Sequence, residues 1–261
     1  MFDHSATNGR TVSAPHLGRL RRAARYVIGL PFGIAFVFLG YLVRARRTDP
    51  YDQRALHTLV ARTATWPHRL VGDLSLLGSQ VFLLSMTLGI LLLLLARRRW
   101  ADALLLIGAM AGWVALGGIA KDVVSRPPPG STFQITGASV SALPSGYLPR
   151  VPQHDGSFPS GHTLGITCLA LVLLHFLWRS GGGRWMKIAG SVTVIAAVTV
   201  VGASLLIVGG HYPTDILGSV LLGVAWTASL LALSAIRAER QRKTGENVGI
   251  IGGDDQAAPA G

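Results

Sequence analysis

Apolar residues in this chain come in long blocks, and the polar residues gather between them rather than alternating with them. The first block runs from Tyr26 to Val43, after a polar lead over 1–25 that ends in Arg19, Arg21, Arg22 and Arg25. No small-residue cleavage site follows it and the lead is long, so it predicts a first transmembrane helix rather than a signal peptide. Further blocks span Leu76 to Ala96, Ala101 to Val124, Thr163 to Trp178, Ile188 to Val208, and Pro213 to about Ile236. Each is near the roughly 20 residues that a helix needs to cross the hydrocarbon core. Gly108, Gly112, Gly117 and Gly118 in the third block predict close helix packing. The fold class is therefore all-α, a polytopic membrane protein with about six transmembrane helices in a bundle. Residues 26–236 form the membrane domain, flanked by a 1–25 segment and a charged, disordered 237–261 tail.

The connections differ in kind. Residues 44–75 mix Arg44, Arg46, Arg47, Arg54, Arg62 and Arg69 with Leu56, Leu59, Val60, Trp66 and Leu70, which predicts an interfacial amphipathic helix broken at Pro67. Ser125 to Pro159 is rich in proline, glycine and serine without helical periodicity, and reads as a long loop outside the bilayer. Within it Pro144-Ser145-Gly146 resembles the later Pro159-Ser160-Gly161 but lacks the histidine that follows. The other turns are short: Gly181-Gly182-Gly183, and Gly209-Gly210-His211-Tyr212.

Composition agrees with these blocks. Of 261 residues, 50% are hydrophobic and 14% charged, well below the quarter or so of charged residues in a soluble domain. The net charge of +12 sits at the ends of apolar blocks. That placement fits topology signals and contact with membrane lipid headgroups, not a nucleic-acid-reading face. Fifteen lysines and arginines fall on the side of the termini and nine on the other. The positive-inside rule then puts a multi-pass protein in the cytoplasmic (inner) membrane, with both termini cytoplasmic and the 125–159 loop outside. The arginines of the first loop count against that orientation. The lone Cys168 excludes an intrachain disulfide and reads as a packing residue. No histidine–cysteine spacing matches a zinc site. No ionisable residue sits in the middle of a predicted span, which speaks against a transport pathway.

Three polar stretches then fall at one membrane face. In Phe158-Pro159-Ser160-Gly161-His162 the proline and glycine frame a turn, the serine can cap a helix, and the histidine lies in its first turn. The free N–H groups of such a start favour an anion. His211 stands just before Pro213, a residue suited to a first helical turn, and Asp215 lies one turn inside. The carboxylate can reach back to fix the imidazole tautomer, or it can simply cap the helix beside an interfacial histidine. Lys121 and Asp122 can be snorkelling residues, and Arg126 an orientation signal.

Taken together, Lys121-Asp122-Val123-Val124-Ser125-Arg126-Pro127, Pro159-Ser160-Gly161-His162, and Ser204 through His211 to Asp215 resemble the type 2 phosphatidic acid phosphatase superfamily. That family also contains the vanadium haloperoxidases, whose members resemble soluble proteins, unlike this chain. The resemblance covers about residues 70–236. It implies a six-helix bundle with its site at one membrane face and no metal or other cofactor. By it His211 attacks phosphorus, Asp215 orients it, and His162 protonates the leaving alcohol and then activates water. Lys121, Arg126 and the N–H groups at Ser160 and Gly161 would hold the phosphate oxygens. Two family arginines are missing, replaced by Pro128 and Leu205, with Arg126, Arg150 or His154 as candidate substitutes. The implied function is hydrolysis of an amphiphilic lipid phosphate or diphosphate at the outer face. Candidates are phosphatidic acid, phosphatidylglycerol phosphate, undecaprenyl diphosphate and lipid A. The alternatives are a phosphotransferase drawing on the same donors, and a non-catalytic lipid-binding protein with a weakened site.

Overall fold

The computed structural model describes residues 27–129 and 156–253. The expectations placed on the N-terminal arginines, on Pro144-Ser145-Gly146, and on Arg150 and His154 lie outside the described residues. Among the described residues all the α and 3-10 elements are helical and none is a strand. They are α1 (Gly29–Arg44), α2 (Asp49–Arg62), α3 (His68–Ser75), a 3-10 turn (Leu76–Gly78), α4 (Gln80–Ala96), α5 (Trp100–Val124), α6 (Gly161–Arg179), α7 (Arg184–Ile207) and α8 (Pro213–Gly253). Four helices are long and apolar enough to cross a membrane, and the number rises to six when two bent pairs each count as one span. The multi-pass all-α architecture read from the apolar blocks is the one observed.

The bent pairs explain how the first polar connection is used. α2 turns 90° away from α1, after Arg46 takes a left-handed conformation at φ 56°. The N–H groups of Arg46 and Arg47 close the end of α1 on the carbonyls of Val43 and Leu42, both at 2.9 Å. Arg44 donates to the carbonyl of Val123 at 2.6 Å, which ties this corner to the end of α5. Pro67 stands immediately before α3, so the expected break falls there.

α6 is the centre of the bundle. It packs against α4, α5, α7 and α8, and its residues from Thr163 through Ala170 are all buried. Cys168 is among them, wholly enclosed in the core. Small residues let bulky ones approach: a Cβ on Gly112 would fall 1.9 Å from Trp226 Nε1, and one on Gly165 would fall 2.4 Å from Leu83. Gly118 meets nothing within 4 Å, so only part of the glycine series serves packing.

α8 corrects one expectation. Its helix does not stop near Ile236 but runs on to Gly253. Ala238-Glu239-Arg240-Gln241-Arg242-Lys243 is made of good helix formers, and an established helix propagates through such residues without an apolar face.

Candidate active site

The site is built where α5 ends and α6 and α8 begin. Pro127 disfavours a helical conformation at the residue before it, so α5 has to end near Arg126. Ser125 caps it in a left-handed conformation (φ 49°), its N–H bonded to Lys121 O at 2.7 Å. The turn carries Arg126 inward, where only 5% of it is exposed. The approach to α6 runs alongside, with Ser157 N–H donating to Arg126 O at 2.7 Å. Phe158 follows, wholly buried and stacked on Phe36 at 5.7 Å. It fills the space that Gly218 leaves open, since a Cβ there would lie 2.5 Å from its ring.

Ser160 then caps α6, its Oγ accepting from Thr163 N–H at 3.4 Å. Its own N–H points to Asp215 O at 3.4 Å. Ser219 Oγ lies 2.9 Å from Ser160 O and 2.7 Å from Asp215 O, which joins the starts of α6 and α8. Trp113 Nε1–H donates to Gly161 O at 2.8 Å and holds the same turn from α5. Gly161 itself faces open space. Among the described residues, the N–H groups of Gly161 and His162 are first-turn donors with no protein acceptor. Such groups form an anion site. Lys121 and His211 lie close enough to His162 to act on its charge. The three polar stretches of the sequence do meet.

At the start of α8, Asp215 Oδ2 accepts the Tyr212 N–H at 2.9 Å and lies 3.4 Å from His211 Nδ1. The carboxylate thus both caps the helix and faces the imidazole. With Nδ1 turned to Asp215, Nε2 is the nitrogen left for chemistry. The pair is loose by hydrogen-bond standards, as catalytic contacts without substrate often are.

Arg126, which the resemblance would put on the phosphate, is surrounded by protein acceptors. Its Nη1 lies 3.0 Å from Asp215 Oδ1 and 2.8 Å from Thr214 Oγ1. Its Nη2 lies 3.0 Å from Asp49 Oδ1 and 2.7 Å from Asp52 Oδ2. The guanidinium also sits 3.9 Å over the Tyr212 ring. Burial works against its charge, but Asp215 and Asp52 outweigh that and raise its pKa above the usual value. The Ser160 N–H meets the Asp215 backbone carbonyl at 3.4 Å, while the Gly161 and His162 N–H groups have no such acceptor among the described residues. Leu205, where the family has an arginine, is part of the apolar core.

Sequence reading missed Asp49 and Asp52 altogether. Their one signal is position: two acidic residues in the first turn of a helix whose surroundings are rich in arginine.

This is a polytopic helical membrane protein with a histidine–aspartate pair, a second histidine and a lysine gathered at one end of its bundle. The model of the PAP2 superfamily matches residues 102–238, just over half of the chain, and the chain belongs to that superfamily. It is similar to phosphatidylglycerophosphatase B of Bacillus subtilis (strain 168), at 24% identity over 191 residues, covering 72% of this chain and 86% of the relative. The crystal structure of a transmembrane PAP2-type phosphatidylglycerolphosphate phosphatase from Bacillus subtilis has the same fold, with a TM-score of 0.64. It is 21% identical and covers 81% of this chain and 97% of that one. Both of these relatives are phosphatases, and phosphatases are hydrolases.

Proposed function

We propose that this chain is a membrane phosphatase that hydrolyses a lipid phosphate monoester or diphosphate through a phosphohistidine on His211. The observation that carries the reading is the meeting of the His211–Asp215 pair with His162, Lys121 and the free first turn of α6. His211 Nε2 attacks phosphorus while the bond to the leaving alkoxide breaks. His162 gives that oxygen a proton, and Asp215 holds the imidazole in line and balances its growing positive charge. His162, now neutral, takes a proton from water. The hydroxide displaces His211 from phosphorus and inorganic phosphate leaves. Lys121 and the N–H groups of Gly161 and His162 hold the non-bridging oxygens, where the charge of the transition state spreads.

An amphiphilic substrate fits a site at the end of a membrane bundle, because its tail stays in lipid while the headgroup meets Lys121. The relative's name makes phosphatidylglycerol phosphate the first substrate to try, followed by phosphatidic acid, undecaprenyl diphosphate and lipid A phosphates. The lysine and arginine distribution supports a site facing outward and termini in the cytoplasm. The membrane domain of residues 26–236 holds the whole machinery in this reading.

The test is phosphate release by detergent-purified protein without added metal, across that panel of lipids. Release that vanishes in His211→Ala and under vanadate bears the reading out. Folded protein that releases no phosphate from any of these lipids contradicts it. Transfer of label to a lipid or sugar hydroxyl would identify the phosphotransferase instead.

A further inference from the structure

Arg126 is held in a way that leaves it little freedom to serve a substrate. Both terminal nitrogens have two acceptors each, three of the four being carboxylates and the fourth the Thr214 hydroxyl. Asp52 and Asp215, at 2% and 0% exposure, are as buried as the arginine between them. Swinging the guanidinium onto a phosphate would strand those carboxylates away from water, which is a heavy cost.

The far end of this arrangement is anchored independently. Asp52 Oδ1 accepts the Thr214 N–H at 3.1 Å and Asp52 Oδ2 the Thr214 hydroxyl at 2.5 Å. α2 therefore grips the first turn of α8 at the residue just before Asp215. A continuous chain runs from Asp52 through Thr214 and Arg126 to Asp215 and on to His211. Asp215 Oδ1 is taken by Arg126, and Oδ2 alone is left for the Tyr212 N–H and the imidazole.

We infer that Arg126 and Asp52 are positioning residues: they fix the rotamer of Asp215 and set how much of its charge His211 feels, and they do not bind the phosphate. The inference rests on His211 being the nucleophile. It also changes the account of the missing arginines. Arg126 is not their substitute, and among the described residues the phosphate is left to Lys121, His162 and two backbone N–H groups.

The titratable groups around His211 are Asp215 and His162, with Lys121 from α5 acting on His162 and with Arg126, Asp52 and Asp49 behind Asp215. Replacing Asp52 by asparagine relieves Arg126 of one carboxylate, so it screens Asp215 more fully. The same change weakens the hold of α2 on the Thr214 N–H and hydroxyl.

The experiment is steady-state hydrolysis of phosphatidylglycerol phosphate in mixed micelles by wild type, His211→Ala, Arg126→Lys, Asp52→Asn, Thr214→Val and Thr214→Ser. Arg126→Lys and Asp52→Asn should lose kcat by about a hundredfold with KM changed by less than about threefold, as misplacement of a catalytic pair does. Thr214→Val removes one hydroxyl at nearly constant volume and should lose about tenfold in kcat, with Thr214→Ser restoring it. That pair decides the matter if the charge variants do not fold. A raised KM at unchanged kcat in Arg126→Lys would place the guanidinium on the phosphate and overturn the inference. Wild-type kcat in Thr214→Val would overturn it too. Activity that is lost in His211→Ala but unchanged in all the others refutes the positioning role alone. A wild type that hydrolyses nothing removes the phosphatase reading and this inference with it.

Discussion

At the start of α5 one carboxylate, Asp102, is shared by two arginines; at its other end one arginine is shared by three carboxylates. Arg99 and Arg179 approach Asp102 at 2.6 and 3.3 Å, with side chains 44% and 60% exposed. Arg126 meets Asp49, Asp52 and Asp215 between 2.7 and 3.0 Å with 5% of its side chain exposed. The surplus arginine charge at the first cluster is hydrated, so the cluster is a surface clasp between α5 and the end of α6. Asp102 itself is buried, but with two hydrated arginines on it the loss of the more exposed Arg179 should cost only about 0–1 kcal/mol. The surplus at the second cluster is negative and two of its three carboxylates, Asp52 and Asp215, are enclosed, so Arg126 cannot leave without stranding them. Similar ingredients, sorted by exposure, give a fastening at one end and, at the other, a fixed setting for the Asp215 carboxylate beside His211.

The contrast can be broken most sharply by removing the imidazole that the second cluster touches through Asp215. His211→Ala should lower phosphate release by more than roughly a thousandfold while leaving the thermal unfolding midpoint near that of wild type. Next comes the constraint itself. Arg126→Ala leaves three carboxylates crowded together, two of them buried, and should cost about 3–5 kcal/mol of stability, read as a lowered unfolding midpoint in detergent. A smaller effect is steric: Gly218→Ala puts a methyl group 2.5 Å from the Phe158 ring. It should cost about 1–3 kcal/mol, with a loss of activity because Phe158 leads into Ser160. The smallest belongs to the other end. Arg179→Ala should change stability by less than about 1 kcal/mol and leave hydrolysis at the wild-type rate.

Much of the architecture was legible because a membrane imposes a coarse code. Long apolar blocks closed by arginines mark helices, and that code needs no tertiary information. The nearness of Lys121, His162 and His211 was legible for a related reason: each lies at a helix end, so counting spans brings them to one face. Asp215 was found because its partner is four residues away. Asp52 was not, because its link to Arg126 crosses 74 residues and depends on α2 leaving α1 at a right angle. The approach of the Ser160 N–H to the Asp215 carbonyl was hidden for the same reason, since it depends on α8 crossing the start of α6. Past Ile236 the sequence was misleading: loss of apolar character ends a span, but it does not end a helix.

In the proposed reaction His211 carries the phosphoryl group. The most direct measurement is to mix wild type and His211→Ala with radiolabelled phosphatidylglycerol phosphate, quench within the first turnovers, and test the protein-bound label in acid and alkali. Label should appear on the wild type, survive alkali and be lost in acid, as a phosphoramidate is, and none should appear on the variant. Label that persists in His211→Ala, or turnover by wild type with no protein-bound label at any quench time, would contradict it.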